Sequence, residues 1–145
     1  SEIALKALAN MIKNRFSNTL NGRHNYNINY PRLRSSAGKT ILDSIIKRIE
    51  DSQVVIIDLT QNNFNVFLEA GISLAFCRKL EFFSVYFIKE KINEESQIQE
   101  GIPSDLQGYF ITEYKVDNNN NVTFLDNVSI RMSIESDVKD YFNAR

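Results

Sequence analysis

The chain has 145 residues, 43% hydrophobic and 24% charged, which suits one domain with a real core and excludes wholesale disorder. Its 17 basic and 18 acidic residues leave a net charge of -1, which argues against direct nucleic-acid binding. The single cysteine, Cys77, excludes an internal disulfide, and with the single histidine, His24, it cannot furnish the four ligands of a structural zinc site.

No apolar run approaches the roughly 18 residues that span a bilayer, and the opening SEIALKALANMIKNRF is amphipathic rather than a cleavable leader. A soluble, cytoplasmic protein with no membrane partner and no metal is therefore expected, folded as one domain over residues 1–145. In residues 3–20, apolar groups at Ile3, Leu5, Leu8, Met11, Ile12, Phe16 and Leu20 recur with a helical period that Asn21-Gly22 ends. NYNINYPRL alternates Tyr26, Ile28 and Tyr30 with asparagines, as in a strand exposed on one face, until Pro31 stops it. The basic loop RLRSSAGK follows, with Ser35 or Ser36 as cap for a helix over about 38–51 that places Ile41, Leu42, Ile45, Ile46 and Ile49 on one side.

QVVIIDL reads as a strand covered on both faces. From Leu59 to Cys77 the pattern predicts a mostly buried helix, capped by Asn62 or Asn63 and ending near Arg78-Lys79, with Cys77 as a small buried apolar residue. EFFSVYFIKE is a second apolar strand and KINEESQIQEG a charged loop. PSDLQG leads into a short strand YFITEYKV, and DNNNNV is a surface turn. Residues 123–145 are expected to form a terminal helix region, with Ser133 or Ser136 as its cap. Helices and strands thus alternate, which predicts an open α/β sheet, mostly parallel, with helices on both faces.

In such sheets ligands sit beyond the carboxyl ends of the strands. Asp58, Thr60 and Asn62 fall at one such end, ahead of a helix whose only charged interior residue is Glu69. A carboxylate on an apolar helix is disfavoured unless something holds it or uses it. Asn65 and Ser73 lie four residues to either side of it, so the three are expected to share one polar stripe. Glu69 is the candidate catalytic residue. Asp58 could instead cap the next turn, and Thr60, Asn62, Asn65 and Ser73 are candidates for substrate contacts, with helix capping the competing task of Asn62. Arg34, with Arg32 and Lys39, could meet a diphosphate ahead of the next helix.

The run ILDSIIKRIEDSQVVIIDLTQNNFNVFLEAGISLAF resembles bacterial TIR-like domains and the related nucleoside 2-deoxyribosyltransferase group. Asp58-Leu59-Thr60, Asn63-Phe64-Asn65-Val66 and Glu69-Ala70-Gly71 stand where that group has Asp-Leu-Thr, Asn-Pro-Asn-Val and Glu-Leu-Gly. IPSDLQGYFITEY is similar to its Pro-x-Asp-Leu segment, so the likeness spans about Arg32 to Tyr114. Phe64 and Ala70 depart from the pattern, at proline and leucine positions. The resemblance implies a flavodoxin-like or TIR-like fold, which normally opens with a strand where this chain opens with a helix.

It also implies cleavage of an N-glycosidic bond, with the glutamate at the position of Glu69 as the essential group. In the TIR-like branch the substrate is NAD, split by hydrolysis or cyclisation, commonly in antiphage defence and in a self-associated or partner-activated state. NAD is then substrate, and no cofactor is implied. In the transferase branch the substrate is a deoxynucleoside, and the alternative activity is that of a nucleoside 2-deoxyribosyltransferase or a nucleoside hydrolase. A third expectation, from a different class, is a non-catalytic nucleotide-binding domain that signals by self-assembly. Loss of a base leaves an oxocarbenium-like sugar that a carboxylate stabilises or traps. Nicotinamide departs as a neutral molecule without a general acid, whereas a purine usually needs one.

Overall fold

A computed structural model describes residues 2–19, 40–61, 64–81, 83–95, 97–98, 101–106 and 108–143. Five elements precede the middle loop or flank it closely: α1 (Glu2–Thr19), α2 (Ile41–Glu50), β1 (Val54–Asp58), α3 (Phe64–Lys79) and β2 (Ser84–Glu90). Beyond a 3-10 turn at Ser104–Leu106 come β3 (Ile111–Val116), β4 (Val122–Phe124) and α4 (Asn127–Asn143). The four strands form one sheet in the order β1-β2-β3-β4. β1, β2 and β3 run parallel, with Val54 opposite Ser84 and Phe87 opposite Ile111, and β4 returns antiparallel to β3. The α/β reading holds, as a mixed sheet of mostly parallel strands.

Alternation along the strands assigns the two faces. Ile88 and Tyr114 face Ala4 and Leu8 of α1 and Ile130 and Ile134 of α4, and Ile56 and Tyr86 extend this layer. Ile57, Phe87 and Ile111 point the other way, onto Ala70 of α3. α2 lies on the same side, where Ile45 and Ile49 pack with Val55 and Val85 of the strands and with Leu68, Ile72 and Phe76 of α3. Each fully buried aliphatic side chain in these layers contributes about 1.5–3 kcal/mol.

The connection from β2 to β3 departs from a plain helix-strand alternation. Parallel strands need a crossover, and its described residues are loop with one 3-10 turn, where Ile102 and Leu106 cover the sheet beside α3. Gly101 turns the loop with φ at 76°, a backbone conformation that glycine adopts without steric strain.

Several expected boundaries shift. α2 begins at Ile41, and its cap is Thr40 rather than a serine: the Thr40 hydroxyl accepts from the Asp43 N–H while the Asp43 carboxylate accepts from the Thr40 N–H. α3 is not mostly buried; only Ala70 and Ser73 are, and Phe64 at its start is 78% exposed. Cys77 is exposed rather than internal, with its thiol donating to the Phe83 carbonyl. The asparagine-rich turn builds a hairpin that the sequence reading missed. Asp117 accepts from the N–H groups of Asn119 and Asn121, Asn120 takes φ of 62°, and β4 follows. α4 consequently starts at Asn127, so Ser133 and Ser136 lie inside it and cannot cap it. The strand expected around Tyr26–Tyr30 and the loop with Ser35 and Ser36 fall outside the described residues. Among the described residues, no helix is long and apolar enough to cross a membrane, and no cluster of metal-ligating side chains is present.

Candidate active site

Two polar features meet at the carboxyl end of β1, and they do different work. The first is a closed network. Asp58, 8% exposed at the strand's last position, points to the α1 and α4 face. One carboxylate oxygen accepts from the Thr60 N–H at 2.9 Å and from the Thr60 hydroxyl at 2.5 Å. The other accepts from the Tyr114 hydroxyl at 2.5 Å. Thr60 in turn accepts from the Glu90 N–H at 2.8 Å. The Leu59 N–H reaches the Ile88 carbonyl, and the Lys91 N–H the Tyr114 carbonyl, both at 2.8 Å. These bonds tie the carboxyl ends of β1, β2 and β3 together. Burial, then the hydrogen bond to Asp58, holds the Tyr114 phenol well above its ordinary range, so it remains a donor.

The second feature is Glu69. It lies in the second turn of α3, on the opposite face of the sheet from the Asp58 side chain. A cleft of about 170 Å³ runs over the border of β1, lined by Leu5 of α1, Ile56, Ile57 and Asp58 of β1, Gln61, and Val66 and Glu69 of α3. The Glu69 carboxylate is half-buried and pairs with no lysine, arginine or hydrogen-bond donor among the described residues. Burial raises its pKa above the ordinary 4.5. A carboxylate that no described residue holds, beside an open groove, is available for chemistry.

The predicted polar stripe separates along the helix. Residues four apart advance by about 40° around the axis, so Asn65, Glu69 and Ser73 sweep through about 80°. Asn65 is exposed, Glu69 half-buried and Ser73 fully buried. The Ser73 hydroxyl turns into the core, has no hydrogen-bond partner among the described residues and does not line the cleft. Glu69 and Asp58 share the cleft, whereas Thr60 is drawn into the network behind it. Arg34, with Arg32 and Lys39, lies outside the described residues, as do Asn62 and His24.

Four participants escaped the sequence reading: Tyr114, Glu90, Leu5 and Gln61. Tyr114 carries a signal in hindsight, since a tyrosine at an inward position of a buried strand needs a partner for its hydroxyl. The sequence places Leu5 only on a helix face, and nothing in the pattern of α1 indicates which strand border it reaches. The chain matches no family model, no curated protein and no solved structure.

Proposed function

We propose that this chain is a TIR-like domain that cleaves NAD at the nicotinamide-ribose bond, with Glu69 as the essential carboxylate. The observation that carries the reading is the half-buried Glu69, unpaired among the described residues and facing an open cleft at a strand's carboxyl end. As nicotinamide departs, positive charge spreads over the ribose carbon and ring oxygen. A carboxylate in a partly dry groove stabilises that charge far more than one in water. The open, mostly parallel sheet is compatible with the flavodoxin-like arrangement that the sequence resemblance implies.

The disposition of Asp58 favours a nicotinamide leaving group over a purine. Purine departure calls for an acid, and both oxygens of the neighbouring carboxylate are already occupied by three donors. Among the described residues Glu69 has no acid partner, and a pyridinium-type bond needs none. Hydrolysis and cyclisation share this first step. In the same proposal the domain acts in the cytoplasm in antiphage defence, as a homo-oligomer or under an activating partner.

The test is chromatography of NAD incubated with concentrated protein. Nicotinamide should appear together with ADP-ribose or a cyclic product, and Glu69→Gln should abolish both while the circular dichroism spectrum stays unchanged. Base exchange between deoxyinosine and adenine would transfer the reading to a deoxyribosyltransferase. Thermal stabilisation by NAD with no turnover would make the domain a binding module.

A further inference from the structure

The cleft beside Glu69 measures about 170 Å³, whereas pockets that enclose a drug-sized ligand run to roughly 300–1,000 Å³. A dinucleotide does not fit inside it, but one ring does. Four of its lining residues are apolar, Leu5 of α1, Ile56 and Ile57 of β1 and Val66 of α3, beside the polar Asp58, Gln61 and Glu69. Leu5 is held in place by its neighbours. Ala4 and Leu8 are fully buried against Ile88, Tyr114, Ile130 and Ile134, which anchors this turn of α1 at the border of β1.

On the reading that the substrate is NAD, we infer that Leu5 is the wall against which the nicotinamide ring packs, and that the rest of the dinucleotide lies outside the cleft. The chemistry favours this arrangement. The ring begins as a pyridinium cation and ends neutral, so its charge drains away as the bond breaks. An apolar wall binds the neutral ring better than the cation, and it therefore favours the transition state over the bound substrate. Leu5 on one helix and Glu69 on another then divide the labour between departing base and developing sugar cation.

Product inhibition separates this role from a merely structural one, because an inhibition constant does not depend on the fraction of active protein. In Leu5→Ala, the inhibition constant for free nicotinamide should rise about three- to tenfold, and kcat/KM for NAD should fall by a similar factor. The inhibition constant for ADP-ribose should not change, and Leu5→Met should restore wild-type values. Wild-type turnover with unaltered nicotinamide inhibition in Leu5→Ala would overturn the assignment alone. A wild-type protein that releases no nicotinamide at any concentration would overturn the functional reading, and the role of Leu5 with it.

Discussion

Glu69 bears a charge in a place that disfavours charge, and the penalty is measurable. Its pKa is raised by burial, so the folded protein resists ionising it. Such a group favours the folded state below its unfolded pKa of about 4.5, and that contribution is lost as pH rises through the higher folded value. Glu69→Gln should therefore be more stable than wild type at neutral pH, with the gap closing in acid, as urea unfolding at several pH values would show. Its activity should fall at least about 100-fold, in line with the loss of one electrostatic contact to a developing charge. For the wild type, catalysis requires the ionised form, so kcat should decline in acid with a midpoint above 4.5. Greater stability with lower activity in one variant is the signature of a residue kept for function. Ser73 offers a contrast four residues later. Its buried, unpartnered hydroxyl does nothing visible, and Ser73→Ala should stabilise the fold by about 1 kcal/mol. The sequence marked both positions as polar on an apolar helix. Only the 40° advance per four residues separates the one that reaches the cleft from the one that does not.

Among elements, the apolar runs were the most legible. VVIID and SVYFIKE are covered on both faces, and continuous apolar character is the pattern such strands show. β4 was hidden because three residues after an asparagine-rich turn carry too little periodicity to stand out. The start of α2 is hard to place from sequence because Ser35, Ser36 and Thr40 are all residues that cap helices, and only Thr40 has an acidic partner three residues on, Asp43, to complete the capping box. Thr40→Ala should cost about 1 kcal/mol, visible as a lower urea midpoint with an unchanged slope. Tyr114 is the larger test of how the strand ends are joined. Tyr114→Phe removes a donor from a buried carboxylate and should cost about 1.5–3 kcal/mol. None of this network beyond Asp58 and Thr60 was readable from spacing, because Tyr114 lies 56 residues away and meets them only when β3 settles two strands over.

At the scale of the molecule, the alternation of helix and strand was enough to predict a layered α/β sheet, and the loop crossover between β2 and β3 is where the pattern breaks. Two phenols brace opposite connections of this architecture. Tyr114 donates to Asp58, and Tyr86 donates to Asp137 of α4; burial, then those carboxylates, raises both pKa values far above the ordinary 10. A raised phenol stabilises the fold fully below the unfolded value, and this contribution is lost as pH climbs beyond about 10. Unfolding free energy should consequently hold steady up to about pH 10 and fall only as the pH rises above that. The fall should be smaller in a variant carrying phenylalanine at both positions.

The exposure of Cys77 has a practical sequel. It is the sole thiol of the chain and lies on the surface two turns beyond Glu69, about 12 Å along the axis of α3. A maleimide dye can thus be attached stoichiometrically without occupying the groove. Mixing donor-labelled and acceptor-labelled protein would then report, by energy transfer, whether copies assemble as turnover begins.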